Sequence, residues 1–464
     1  MDADADAIAF GTDGWRATLE EFTDERVRMV GQAVADYLRA EGHDAPVLVG
    51  YDARPTSEGF ADSLAAVLAG NGFDVLVPER DRPTPLVAWA IVDRGLAGAL
   101  MVTASHNPPE YNGVKFIPGD GAPALPAVTE AIEARLGPVD TLPESEHGTV
   151  ETVSLVPSHA EQARAVAGVD GGALDGLTVV YDAMHGSGRG VTDALLESAG
   201  VEVVRRRCDP DPEFGGTPPE PSAEHLEGLV AAVRDRDADL GIANDGDADR
   251  LAVVTPDRGH LDENLFFAAI YDYLLESASG PAVRTVSTTF LVDRVAEAHG
   301  EDVFETAVGF KWVADAMAAH DALVGGEESG GFSVRGHVRE KDGVLMALLT
   351  AAAAAEESLD ARVDRLLAEH GDVVADKVSL DCPDDRKEAV VAGLDDEIPD
   401  SLAGQSVAEV VTLDGFKLLL EDGSWVLVRP SGTEPKMRVY AEAADERAVR
   451  ERLAAARELV APLI

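Results

Sequence analysis

Short apolar runs and longer helical periods alternate along most of this chain. "PVLVGYD" gives way to "SEGFADSLAAVLAGNG", whose apolar positions recur every three or four residues, and then come "FDVLVPE", a helical "TPLVAWAIVDRG" and "AGALMVTAS". Apolar runs of four to eight residues bounded by turn formers predict buried strands, and the longer periodic stretches predict helices. The same rhythm returns in "LTVVYDAMHGSG", "VTDALLESAG", "VEVVRRR", "AEHLEGLVAAVRDRD" and "ADLGIANDGDADR". A third round runs through "AVRTVSTT", "LVDRVAEAHG", "DVFETAVGF", "WVADAMAAH" and "ALVGGEES". Strand and helix alternating three times over predict three similar α/β domains with mostly parallel sheets, over residues 1–150, 151–255 and 256–370.

After the apolar helix in "DGVLMALLTAAAAAEES" the pattern changes. A strand "DKVSL", a helix over "RKEAVVAGL", a hairpin in "VVTLDGFKLLLEDGSWVLVRPS", a strand "MRVYAEA" and a helix from Glu446 to Leu459 predict a smaller α+β domain over 371–464. In each α/β round the third strand leads into a loop rich in polar side chains: "TASHNP", "NDGDADR" and "GGEESGG". Parallel α/β sheets carry their chemistry at the carboxyl ends of strands. Equivalent loops of three repeats therefore converge if the domains pack around one central cleft.

The loops differ in what they offer. "NDGDADR" sets Asp245, Asp247 and Asp249 at alternate positions of a tight turn. Carboxylates so close repel one another unless a cation neutralises them, and their oxygens suit a hard ion such as magnesium. A solvated acidic turn is the plain alternative. An EF-hand is excluded, because Arg250 takes the glycine position and Pro256 the place of the bidentate glutamate. "RPSGTEPKMR" supplies Arg429, Ser431, Gly432, Thr433 and Arg438, a possible phosphate cradle of guanidinium forks, hydroxyls and a glycine turn. It lacks the GK[ST] of a Walker loop. "GGEESGGF" holds Glu327, Glu328 and Ser329, which suit sugar hydroxyls or, equally, an acidic helix cap.

Charge sharpens this picture. The 464 residues carry 86 acidic against 38 basic side chains, a formal net charge of −48. Such acidity argues against nucleic acid or an anionic membrane as partner, and its even spread suits a salt-rich, halophilic cytoplasm where screening is short-ranged. Hydrophobic content of 45% is ample for packed domains. Cys208 and Cys382 form no CxxC pair, so neither a disulfide framework nor a zinc cluster is expected. The N-terminal "MDADADAIAF" has no basic or apolar region of a signal peptide, and "VLMALLTAAAAA" is too short to span a bilayer; a soluble, cytoplasmic protein is expected. Lysine is scarce, with only seven residues, yet Lys115, Lys311, Lys341 and Lys436 fall in or beside the polar loops. That clustering, together with Arg16 in "FGTDGWR", favours an anionic ligand.

"TASHNP", "DGDADR", "GEESGG" and "RPSGTEPK", in this order and at these separations, resemble the α-D-phosphohexomutase superfamily of phosphoglucomutases, phosphomannomutases and phosphoglucosamine mutases. The resemblance covers nearly the whole chain and implies an isomerase with three similar α/β domains and a smaller fourth around a cleft. It implies that Ser105 carries a phosphoryl group, with His106, Lys115, Arg16 and Lys341 in the catalytic machinery and His106 or Lys341 as the proton-transferring group. Asp245, Asp247 and Asp249 would hold Mg2+, completed by the phosphoserine. Gly309, Lys311, Glu327, Ser329, Arg429, Ser431, Gly432, Thr433 and Arg438 would bind the sugar phosphate, and Arg250 would line the same cleft. Glucose 1,6-bisphosphate is implied as intermediate and activator. "AVGFKW" and "REKDG" look more like the glucose branch than the mannose or glucosamine branches, with dual specificity open. The expected partner is a hexose phosphate, and the expected state a monomer or homodimer. Two rival classes make different demands: an aspartyl-phosphate phosphatase would use a DxD nucleophile near the start of the chain, and a non-catalytic sugar-phosphate binder would lack the serine or the metal loop.

Overall fold

The computed structural model describes residues 4–11, 13–432 and 434–464. Four sheets follow one another along the chain. In the first, the parallel strands Val47–Tyr51, Val75–Pro78 and Gly98–Val102 form the centre predicted from the apolar runs. Helices Ser57–Gly70 and Thr84–Arg94 make the crossovers between them. The second sheet is built on Thr178–Asp182, Glu202–Arg206 and Leu240–Asn244, and the third on Ala282–Thr285, Val303–Thr306 and Val324–Gly326. Three central strands of the six in these two sets, and all five residues of Gly98–Val102, are buried, as strands covered on both faces must be.

Each round adds an element absent from the pattern reading. Beyond the site loop the chain turns back as an antiparallel strand: Tyr111–Pro118 beside Gly98–Val102, Leu251–Thr255 beside Leu240–Asn244, and Phe332–Val334 beside Val324–Gly326. Every site loop is therefore the tip of a hairpin, pinned on both sides by ladder hydrogen bonds. That is stiffer than the free crossover loop of a purely parallel sheet. The fourth sheet is antiparallel, with helices Asp384–Glu397 and Glu446–Val460 packed on it.

One apolar core runs through the first three domains, from Leu48 to Val373, and the fourth domain keeps its own around Val426, Met437 and Val439. At the centre of the shared core lies helix Gly343–Glu356, whose residues from Gly343 to Ala353 are all buried. A helix apolar on every side has no solvent face. It packs against helices Val156–Ala167 and Thr192–Ser198, so domains two and three are fused through it. The fourth domain meets the third at a smaller joint. There Lys417 lies over Phe290 and Trp425, 4.3 and 4.6 Å from their ring centres, and donates to Glu305 at 2.6 Å. No helix among the described residues is long and apolar enough to cross a membrane.

Candidate active site

Ser105 stands just past the end of strand Gly98–Val102 with φ at 49°, in the left-handed region that a serine rarely adopts. Its own backbone N–H donates to Thr103 Oγ1 at 2.8 Å. The carbonyls around it are gathered by one side chain, Arg54. That guanidinium donates to Ser105 O (2.9 Å), Asn107 O (2.5 Å), Pro108 O (2.7 Å) and Tyr111 O (3.0 Å). Arg54 is itself fixed by Asp52, which also accepts from Ser57 Oγ at 2.6 Å and Thr103 Oγ1 at 2.8 Å. A buried fork spanning four carbonyls holds the strained turn in one shape.

The consequence is the direction of the hydroxyl. Ser105 Oγ donates to Asp245 Oδ2 at 2.6 Å, across 140 residues of sequence, and lies 3.3 Å from His106 Nδ1. The acidic loop reaches it because position 246 is glycine. A Cβ there would stand 2.5 Å from Ser105 O. Asn244 closes the acidic hairpin by donating to Arg250 O at 2.8 Å while accepting from Tyr181 and Thr192. Asp247 ties it to the first domain, since Thr84 donates its N–H to Asp247 O (2.9 Å) and its hydroxyl to Asp247 Oδ2 (2.6 Å).

Asp245, Asp247 and Asp249 are fully buried, and one oxygen from each falls within 4.8 Å of the others. Burial, with Asp247 and Asp249 beside it, pushes the Asp245 carboxyl well above the usual carboxylate range. Asp249 goes the other way. Burial would raise it too, but Lys341, Lys115 and Arg250 hold it below the usual range. Its Oδ2 is 2.8 Å from Lys341 Nζ and 3.5 Å from Lys115 Nζ.

Those two lysines sit in a nest of carboxylates. Asp13 lies 3.4 Å from Lys115, 3.5 Å from Lys341 and 3.0 Å from Arg16, and Glu340 lies 3.8 Å from Lys115. Burial opposes charge on both ammoniums, yet the surrounding carboxylates raise the two pKa values. Glu340, pushed upward by burial and pulled back by the lysines, stands at about 7. His106 is driven far down by burial and by Arg250, Arg16, Lys341 and Arg54, which keeps the imidazole neutral. Arg16 also donates to Asn107 Oδ1 at 3.4 Å.

The sugar-loop candidates adjoin this centre. Arg250 pairs with Gly331 in an isolated β-bridge, and Leu251 N–H donates to Gly330 O at 2.9 Å, so the acidic loop and the "GEESGG" loop share backbone. Glu327 is buried and accepts from Gly309 N–H at 2.9 Å. Glu328 is already engaged, accepting from Ser287 Oγ at 2.7 Å. Ser329 is half-buried on the same turn, and Lys311 extends over Trp312 at 5.9 Å. The fourth-domain loop is occupied by its own counter-ions: Arg429 on Asp414 (2.9 Å), Lys436 and Arg438 on Glu434 (3.0 and 2.7 Å), and Lys387 on the carbonyls of Ser431 and Glu434 (both 2.6 Å). Gly432 forms the bend between these groups, and Thr433 lies outside the described residues.

Comparison with known proteins accounts for most of the chain. Residues 7–141 match "Phosphoglucomutase/phosphomannomutase, alpha/beta/alpha domain I", 157–259 match domain II, 262–370 match domain III and 378–459 match the C-terminal domain of the same family. A probable phosphoglucosamine mutase of Methanopyrus kandleri is 34% identical over 446 residues, 95% of each chain. The chain belongs to the phosphoglucomutase/phosphomannomutase family. A phosphoglucomutase/phosphomannomutase of Thermococcus kodakarensis is 33% identical over 96% of each chain. The crystal structure of a putative phosphomannomutase from Thermus thermophilus superposes with a TM-score of 0.84 at 33% identity, covering 98% of this chain and 99% of that one.

Members of this family are mutases, and the chain is accordingly an isomerase of the phosphohexomutase type. The acidic triad fits the divalent cation that the family implies. Asp247 Oδ1 and Asp249 Oδ1 are buried with no hydrogen-bond partner among the described residues, which leaves two carboxylate oxygens for a hard ion. No local motif marks Arg54, Asp52, Thr84, Asp13 and Glu340 as site residues; contacts across the chain bring them there. Arg54→Lys is expected to lower kcat about 10- to 100-fold while the fold persists, because one ammonium cannot span four carbonyls and the Ser105 hydroxyl loses its aim. Steady-state kinetics beside a thermal melt checks this.

Proposed function

We propose that the enzyme interconverts glucose 1-phosphate and glucose 6-phosphate through a phosphorylated Ser105 and a glucose 1,6-bisphosphate intermediate. The observation that carries the reading is the Ser105 hydroxyl, 2.6 Å from Asp245 of the buried acidic triad, with the Lys115 and Lys341 ammoniums beside Asp249 of the same triad. A phosphoserine brings nearly two negative charges and needs such cationic surroundings.

In the forward half-reaction the P–Oγ bond of phosphoserine breaks and a P–O bond to the sugar hydroxyl forms. The hydroxyl proton passes to a nearby base while the departing Ser105 Oγ takes up a proton, and both proton transfers run in reverse when the phosphoryl group returns. Reorientation of the bisphosphate presents its other phosphate, which returns to Ser105 Oγ and leaves the isomeric product. Mg2+ held by Asp245, Asp247, Asp249 and a phosphoserine oxygen would supply charge neutralisation of the phosphoryl group. Lys115, Lys341 and Arg16 would receive developing charge on the phosphoryl oxygens. Of the two proton-transfer candidates, the neutral His106, 3.3 Å from Ser105 Oγ, suits an acceptor, and Lys341, held as an ammonium, suits a donor.

Glu327 and Ser329 would hold sugar hydroxyls, with Gly309 fixing the Glu327 carboxylate and Lys311 at the edge. Arg429, Ser431, Gly432, Thr433 and Arg438 would grip the phosphate not in reaction, which requires Arg438 to exchange Glu434 for it and Arg429 to release Asp414. Remote phosphate binding then orients the reacting hydroxyl. The names borne by relatives also support a second reading, turnover of mannose or glucosamine phosphates. The epimers differ by a hydroxyl whose contacts discriminate by only about 1–3 kcal/mol. Rates measured side by side on glucose 1-phosphate, mannose 1-phosphate and glucosamine 1-phosphate, with Mg2+ and glucose 1,6-bisphosphate, test the assignment. The highest kcat/KM is expected for glucose 1-phosphate, and a glucosamine preference would transfer the enzyme to that branch.

A further inference from the structure

The segment that brings Glu340 and Lys341 to the site ends at Asp342, and the two oxygens of this carboxylate serve different elements. Oδ1 caps helix Gly343–Glu356, accepting from Val344 N–H at 2.9 Å and Leu345 N–H at 2.7 Å. Oδ2 accepts from two imidazoles, His159 Nε2 at 2.6 Å and His337 Nε2 at 2.7 Å. All three side chains are at most 1% exposed. His159 comes from helix Val156–Ala167 of the second domain, whereas His337 and Asp342 belong to the third.

A contact from the first domain completes the arrangement. Trp89, on helix Thr84–Arg94, stacks on His337 with ring centres 5.2 Å apart and planes 19° from parallel, and its indole N–H donates to Ser158 Oγ at 2.9 Å. The His159 and His337 rings meet edge to face at 5.2 Å. Burial lowers the pKa of His337 against the pull of Asp342, and Asp342 is held far below the usual carboxylate range by the imidazoles although burial opposes it. The other ring nitrogen of His337, Nδ1, is buried with no hydrogen-bond partner among the described residues.

Nitrogen and oxygen in this triad are at hydrogen-bonding distance, closer than ligands around a common metal ion, and the remaining oxygen of Asp342 is committed to the helix cap. The geometry points to His159 as a positioning residue. By donating to Asp342 it fixes the adjoining Lys341, whose Nζ is 2.8 Å from Asp249 and 3.5 Å from Asp13, and so sets the ammonium against the reacting centre from outside the cleft. This rests on the reaction proposed above. His159 touches no substrate and acts through Asp342 alone.

The test compares full-length wild type with His159→Phe, which keeps the ring volume and removes the donor, and His159→Gln, whose amide places an N–H at similar reach. Assays run well below the melting temperature of each protein, on whichever hexose 1-phosphate wild type turns over fastest. His159→Phe is expected to lose about 10-fold in kcat with KM within about twofold, and His159→Gln to recover most of the loss. A Phe variant that melts earlier but keeps the wild-type kcat would reduce His159 to packing. A Gln variant as slow as the Phe variant would overturn the hydrogen bond as the agent. Zinc or another transition metal retained by wild type after chelation and missing from His159→Phe would replace the clamp with a metal site. Should wild type turn over none of the hexose phosphates, the functional reading fails, and the crystal structure of His159→Phe decides the inference separately: a Lys341 ammonium displaced from Asp249 supports it, and an unmoved one refutes it.

Discussion

Ser105→Ala is expected to cut mutase turnover by at least about 10^4-fold, the scale set by deleting a covalent nucleophile. No neighbouring group replaces it. The side chains nearest its hydroxyl are the Asp245 carboxylate and the His106 ring, and neither offers a hydroxyl in its place. The fold should survive. Alanine meets the same backbone cost at a φ of 49° as serine does, and the lost hydrogen bond, which leaves a buried Asp245 oxygen unpaired, costs about 1–3 kcal/mol. The variant therefore separates chemistry from structure: a near-normal melting temperature with no interconversion of hexose phosphates is the expected pair of results. Continued release of inorganic phosphate from glucose 1-phosphate at the wild-type rate would instead indicate a phosphatase centred on the aspartates.

Asp247→Asn should have the second largest effect, and its sign depends on the cation. Without Mg2+, three buried carboxylates crowd one turn, and Asp247 is among the groups that push Asp245 upward after burial itself. Removing one charge relieves that repulsion, so the cation-free variant should melt no lower than cation-free wild type. With Mg2+ the order reverses. A ligand at 100 times its Kd stabilises the folded state by about 2.7 kcal/mol, and the variant, binding at least about 10-fold more weakly, forfeits about 1.4 kcal/mol of this. Activity at limiting Mg2+ should fall in parallel. The clasp to Thr84 need not break, because an asparagine carbonyl accepts the hydroxyl as well as a carboxylate does. A Mg2+-induced rise in melting temperature equal to that of wild type would remove Asp247 from the cation site.

Much of the architecture was legible because it repeats. Three rounds of strand and helix at similar spacing leave few foldings other than three α/β domains, and the loops after the third strands of each round do converge, Ser105 against Asp245 and Arg250 against Gly331. Lysine scarcity also served as a pointer, since Lys115 and Lys341 are both buried between Asp13 and Asp249. It was an incomplete one. Lys417 is buried just as deeply at the joint between domains three and four, where burial and Arg284 lower it to about 8, and it lies in none of the polar loops.

What the pattern concealed depends on contacts across long stretches of chain. Arg54 follows a strand, as dozens of arginines do, and nothing local announces that its fork will collect carbonyls more than fifty residues away. Asp13 and Glu340 sit within "FGTDGWR" and "REKDG" beside the cations Arg16 and Lys341; their carboxylates matter because they meet lysines across domains, Glu340 on Lys115 and Asp13 on Lys341. The returning antiparallel strands are illegible in the pattern for a similar reason. "YNGVKFIP" contains Asn, Gly, Lys and Pro, and only pairing with Gly98–Val102 makes it a strand and puts Lys115 opposite Met101.

The most direct test of the central claim is mass spectrometry of the freshly purified, active enzyme, with peptide mapping across "MVTASHNPPEYNGVKF". An increment of about 80 Da, that of a phosphate ester, is expected on Ser105, rising in occupancy after incubation with glucose 1,6-bisphosphate and absent from Ser105→Ala. Fully active enzyme whose Ser105 never carries that increment would contradict the account.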